Sequence, residues 1–174
     1  RPDVLLALAH AAEDAGYYGD AVLAYDEYLR LRVDDDSARR DRARVCGQIP
    51  ERAEEGRRQL EEYVQHRPRD PVGHFALAQT IWKTHPQEAL DHLGTAVQLD
   101  PKMSAALYSR AWLFRRLGRI EESLADLKQC VEQQPDNVRS LDQLALAYLS
   151  LDQPREAEHA LRRAVAMAPQ DSQV

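Results

Sequence analysis

The residues of this chain best suited to metal binding or proton transfer are its six histidines, His10, His66, His74, His85, His92 and His159. Zinc-dependent hydrolysis needs HExxH on a helix or a Cys/His set at short fixed spacing, and neither pattern occurs. His85 and His92 lie seven residues apart around a turn into a helix, a spacing two metal ligands can share, but no third ligand accompanies them and they read as surface residues. Cys46 and Cys130 stand far apart, each inside an apolar-periodic stretch, and read first as small buried hydrophobes and second as a reactive thiol, not as a disulfide framework. Phosphate-binding GxxxxGK[ST] and GxGxxG loops and the GxSxG nucleophile elbow are all missing from the sequence. The carboxylates are scattered along polar helix faces. The Asp34-Asp35-Asp36 run, followed by Arg39, Arg40, Arg42 and Arg44, reads first as a charged helix connection and second as a docking patch. The expectation is therefore a protein without catalytic residues, cofactor or metal.

The elements that would carry these residues follow from composition and periodicity. The chain has 174 residues, about one domain by the length prior, with 44% hydrophobic and 30% charged residues. That balance excludes disorder and collagen, and no apolar run reaches the roughly 18 residues of a membrane span. With 29 acidic against 23 basic residues and a net charge of -6, the chain has no overall basic field for nucleic acid phosphates. Only seven glycines occur, and the abundant Ala, Leu, Glu, Gln and Arg favour helix. The sequence opens at Arg1 without an initiator Met or an apolar signal segment, which reads as a piece of something longer. Compartment is left open, with the cytoplasm as a slight preference.

Three columns of residues repeat in register. Small residues stand at Ala21, Gly56, Ala89, Ser123 and Ala157, with steps of 35, 33, 34 and 34. Tyr25, Leu60, Leu93, Leu127 and Leu161 keep the same steps, as do Val33, Pro68, Pro101, Pro135 and Pro169. They divide the chain into repeats at 2–36, 37–70, 71–103, 104–137 and 138–171. The fifth carries Leu141, Leu144, Ala145 and Tyr148, then Ala157, Leu161, Ala164 and Pro169; the fourth has Leu107, Ala111, Phe114, Gly118, Ser123, Leu127, Cys130 and Pro135; the first has Leu5, Leu8, Ala9, Gly16, Ala21 and Tyr25. In order and spacing these resemble the tetratricopeptide repeat family, whose 34-residue unit reads W-x2-L-G-x2-Y, A-x3-F and P. The resemblance runs through nearly the whole chain.

Apolar residues at i, i+3, i+4 and i+7, as in Leu141, Leu144, Ala145 and Tyr148, paint one stripe on a helix that needs a cover. Ala157, Ala160, Leu161, Ala164 and Val165 supply a second stripe after a short turn, so each repeat is a helical hairpin. Gly16 and Gly118 suit the turn after the first helix, and Pro68, Pro101, Pro135 and Pro169 stop the second. A hairpin cannot bury both its faces, so hairpins stack and the expected fold is an all-α solenoid of five tandem repeats forming a single domain. The resemblance adds that it winds as a right-handed superhelix. The second repeat departs most, with a short arginine-rich first helix ending at Gly47-Gln48-Ile49-Pro50, and the third is one residue short at Thr84-His85-Pro86. Tyr28 and Tyr63, standing where Ala96, Cys130 and Ala164 stand elsewhere, are expected to fill space around the thin second repeat. No polar capping helix precedes Val174, which suggests either further repeats or an end open to self-association.

First helices also carry residues that packing does not use. Tyr108, Trp112 and Arg115 form an i, i+4, i+7 line beside the core stripe of the fourth repeat, and Phe75, Gln79 and Trp82 form the same line in the third. In the family that this chain resembles, first helices line the concave groove. That places both lines there, together with Arg139, Asp142 and Leu146 of the fifth repeat, although aromatics at helical spacing also serve as core. Exposed aromatics and arginines are typical of binding hot spots. The Lys, Asn and Arg of the carboxylate clamp found in chaperone-tail binders are missing, since Leu6, His10, Phe75, Gln79, Tyr108 and Trp112 hold those places. The sequence thus points to a protein-interaction module whose groove takes an extended or helical partner segment with apolar or aromatic anchors and an acidic group meeting Arg115, Arg116 or Arg139. The alternatives are a self-associating scaffold and a regulatory or recruiting part of a larger enzyme.

Overall fold

A computed structural model describes residues 1–167 of the chain. Among them there are ten α-helices and no strand: α1 (Pro2–Asp14), α2 (Tyr18–Leu31), α3 (Asp36–Cys46), α4 (Ala53–His66), α5 (Pro71–Ile81), α6 (Pro86–Leu99), α7 (Ser104–Arg116), α8 (Ile120–Gln133), α9 (Val138–Ser150) and α10 (Pro154–Met167). A turn of 3-10 helix, Pro50–Arg52, precedes α4. Each odd-numbered helix packs against the even one that follows it, and further contacts of α2 on α3, α4 on α5 and α8 on α9 stack the hairpins into an all-α solenoid. The chain forms two compact units, the first from Arg1 to Leu99 holding α1–α6 and the second from Asp100 onward holding α7–α10.

The turns follow the local chemistry. Gly16 and Gly118 have φ of 78° and 75°, the left-handed conformation that lets a helix cap its own last carbonyls. The amide after each closes back to the helix, Tyr17 to Ala12 O at 2.8 Å and Arg119 to Phe114 O at 2.9 Å. At the equivalent place of the fifth repeat Asp152 takes φ 55°, and Gln153 N reaches Tyr148 O at 2.9 Å, so an aspartate does glycine's work there. Pro68, Pro101 and Pro135 follow the ends of α4, α6 and α8. Pro169, expected to stop α10, and the expected open end at Val174 lie outside the described residues.

The small-residue column is where helices meet: Ala21, Gly56, Ala89, Ser123 and Ala157 are all buried. Tyr25, Leu60, Leu93 and Leu127 are buried as well. The fifth repeat differs, because Leu161 and Val165, expected in the packed stripe, are 42% and 75% exposed. Ala157, Ala160 and Ala164 already fill the contact with α9, and no described helix follows α10 to cover its outer face.

Tyr28 and Tyr63 do more than fill space. Tyr28 Oη donates to Asp35 Oδ2 at 2.7 Å and Tyr63 Oη to Asp70 Oδ2 at 2.6 Å. Those aspartates cap α3 and α5, accepting from Ala38 N and Val72 N at 2.9 Å each. One repeat's second helix is thereby tied to the start of the next repeat. The Ala38 amide and the Tyr28 hydroxyl hold the Asp35 carboxyl below its ordinary range.

Three arginines of the second repeat serve as joints between helices. Arg40 meets Asp41 and Asp70, and Arg44 grips both carboxylate oxygens of Glu13 on α1. Arg42 reaches Asp26 on α2 and Glu55 and Gln59 on α4. The hydrogen bonds from Arg52, then from Arg42, outweigh burial and bring the Glu55 carboxyl down to about 2. A carboxyl depressed in the folded state stabilises the fold above its ordinary value of 4.5 and loses that contribution as pH falls toward about 2. Urea unfolding of the first unit at pH 7, 4 and 3 is expected to weaken progressively below pH 4.5. The Glu55→Gln variant should be less stable at pH 7, with a smaller loss across that window. An equal loss in both proteins would place the acid sensitivity elsewhere.

Candidate functional site

In the second unit α7 packs against α9, and these two helices carry six of the nine expected binding residues. Tyr108 is half-buried and leans on the core cluster that contains Ala111, Leu141 and Leu144. Burial pushes its hydroxyl above the ordinary tyrosine value, while the positive charges of Arg139 and Arg115 pull it back and Asp142 adds to the rise. The aromatic ring therefore sits within the electrostatic reach of two arginines and one aspartate drawn from two helices. Trp112, one turn further along α7, is half-buried, with the Arg116 guanidinium 4.9 Å from its ring centre. Leu146 on α9 is 44% exposed.

The arginines of α7 and α9 fall into two groups. Arg110 on α7 is held by Asp126 on α8 through two hydrogen bonds of 2.7 Å, and Arg119 by Glu122 at 2.8 Å. Arg115 and Arg139 belong to no ion pair among the described residues, and Arg115 Nε is buried without a hydrogen-bond partner. A buried donor left unsatisfied costs about 1–3 kcal/mol.

The other expected line lies on α5 and its C-cap, Trp82, in the first unit. Phe75, Gln79 and Trp82 are each half-buried, and Lys83 Nζ stands 5.3 Å from the Trp82 ring. Neither tryptophan is fully buried.

The histidines do not converge on a metal. His92 faces His74, Nδ1 to Nδ1 at 2.9 Å, while the ring nitrogens of His85 lie 3.1 and 3.2 Å from Arg57 Nη1. Burial, then the neighbouring His74, pushes the His92 pKa down. Among the described residues no group of three or more His, Cys, Asp or Glu could hold a metal ion, and no helix is long and apolar enough to cross a membrane. Cys46 and Cys130 are buried free thiols, and burial pushes the Cys130 thiol up to about 11.

Two family models described as tetratricopeptide repeat match residues 83–138 and 114–174, more than half of the chain between them. The chain belongs to the tetratricopeptide repeat family. Its fold is accordingly an all-α tetratricopeptide solenoid, a type of protein–protein interaction scaffold. Similar solved structures agree on the fold. TTC0263, a thermophilic TPR protein of Thermus thermophilus, is 22% identical with a TM-score of 0.79, covering 98% of this chain and 93% of that one. MamA from Desulfovibrio magneticus RS-1 is 12% identical at a TM-score of 0.76, covering 99% and 97%. YrrB, described as a TPR protein with an unusual peptide-binding site, is 19% identical at 0.68, covering 96% and 86%. At these identities the likeness is one of fold.

Proposed function

We propose that this tetratricopeptide protein acts by binding and not by catalysis, and that the α7–α9 face receives an extended or helical segment of a partner protein. The observation that carries this reading is the pairing of half-buried aromatics with unpaired cations: Tyr108 and Trp112 offer apolar area, while Arg115 and Arg139 lack internal carboxylates. Such a surface suits an apolar or aromatic anchor next to an acidic group, with Asp142 and Leu146 flanking it. Phe75, Gln79 and Trp82 form a second aromatic line, on the first unit. The absence of the Lys, Asn and Arg clamp speaks against a chaperone tail as the ligand.

Affinity capture from a lysate, with wild type beside a Tyr108→Ala/Trp112→Ala double variant of matched helical content, is expected to lose specific partners only with the variant. For a captured partner, Trp112→Ala alone should weaken binding by ~2 kcal/mol, the scale of an aromatic hot spot. Partners retained by the double variant would move the function off this face. Loss of helical signal in Trp112→Ala would make the tryptophan a core residue.

A further inference from the structure

The even-numbered helices of the second unit, α8 and α10, are the walls of a second cleft, whose lining includes none of the residues assigned to the α7–α9 face. Lys128, Val131 and Glu132 line it from α8, and Arg155, Glu156, His159, Ala160 and Arg163 from α10. Leu144 and Tyr148 of α9 form its floor, and its volume is about 500 Å³. That size falls in the range of sites that enclose a small ligand or one or two large side chains.

Its chemistry divides by depth. Val131, Leu144 and Ala160 are buried at the bottom, beside the half-exposed ring of Tyr148. Lys128, Arg155 and Arg163 stand around the opening. Lys128 Nζ lies 5.6 Å from the Tyr148 ring centre, and Arg163 spends one nitrogen on the Pro135 carbonyl at 3.2 Å. None of the three is in an ion pair among the described residues, although Glu132 and Glu156 line the same cleft. Arg42, Arg44 and Arg110, by contrast, are each held by a carboxylate of a neighbouring helix.

We infer that the α8–α10 cleft is a binding site for a partner protein's segment that places an apolar or aromatic side chain on Tyr148 and a neighbouring carboxylate against Lys128, Arg155 or Arg163. Three cations against two glutamates leave only a small positive excess. That balance suits one or two isolated carboxylates, and the glutamates repel a polyphosphate chain. The ring face and the cations together reward an occupant that is both apolar and acidic.

The test is an amide NMR titration of the full chain with a capped peptide carrying Leu-Phe between two glutamates. Two controls replace the glutamates by lysines or the Leu-Phe by Gly-Gly. The acidic apolar peptide is expected to shift the amides around Lys128, Tyr148, Arg155 and Arg163, with neither control doing so. Lys128→Glu/Arg155→Glu, both at exposed positions, should weaken it about tenfold or more, as reversal of two rim charges would. Equal shifts with either control, no shifts at all, or shifts confined to Tyr108, Trp112 and Arg139 would each overturn the inference. Because Trp112 reports the α7–α9 face and Tyr148 this cleft, failure of one reading is distinguishable from failure of the other.

Discussion

Gly56→Ala is expected to destabilise the first unit by about 2–3 kcal/mol, the cost of forcing a methyl group into a closed helix contact. A Cβ at Gly56 would stand 2.5 Å from Ala43 O and 2.5 Å from Gly47 N, the backbone of α3 and its cap. No side-chain rotation relieves a clash with backbone, so α4 would have to move off α3. The second repeat has little to absorb that movement, because α3 is only 11 residues long and its cap leads directly into the 3-10 turn. Alanine's better helix propensity offsets about 1 kcal/mol at most. Gly19→Ala is the matched control: Gly19 lies in the first turn of α2 with nothing within 4 Å of its Cβ position. There the same exchange should stabilise by about 0.5–1 kcal/mol. Denaturant unfolding followed by Trp82 fluorescence in a Trp112→Phe background reads the first unit for both. Opposite signs are expected, and a neutral Gly56→Ala would mean that α3 and α4 can part freely.

Gly56 also shows what the sequence could and could not reveal. Its place in the small-residue column, with Ala21, Ala89, Ser123 and Ala157, marks a helix crossing from residue type and spacing alone. The hairpin pattern was legible for the same reason, since each column repeats wherever the same packing recurs. Leu161 shares its column with Leu60 and Leu127 yet is exposed, because burial at that position depends on the next hairpin and not on its own. The Tyr28–Asp35 and Tyr63–Asp70 ties had a readable signal, the same seven-residue step in consecutive repeats. The arginine joints had none. Arg44 and Glu13 are 31 positions apart, and nothing local distinguishes a guanidinium that meets a distant carboxylate from one in water. The α8–α10 cleft escaped for a related reason. It takes residues from two second helices and one first helix, whereas the family resemblance directs attention to first helices alone.

Arg110→Ala is expected to cost the second unit about 3 kcal/mol or more, the range for leaving one partner of a buried ion pair without the other. The Asp126 side chain is only 7% exposed, and Arg110 closes over it with Nε and Nη2 at 2.7 Å from the two carboxylate oxygens. Removing the guanidinium leaves the buried Asp126 carboxylate without its cation. It also removes one of the two cations flanking the Phe114 ring, at 5.9 Å, and leaves Arg119 at 4.5 Å on its own. Arg110→Lys should recover only part of the loss, because an ammonium cannot present two parallel donors to one carboxylate. The reverse deletion, Asp126→Ala, should cost less, since Arg110 is 21% exposed and its guanidinium can turn toward water. Arg110→Met/Asp126→Leu should regain much of the stability lost in Arg110→Ala, because an apolar pair leaves no buried charge behind. Trp112 fluorescence in a Trp82→Phe background follows the second unit through this series. A cost below about 1 kcal/mol for Arg110→Ala, as for a surface pair, would mean that water reaches Asp126 and that the α7–α8 joint rests on Leu107, Ala111 and Leu127 alone.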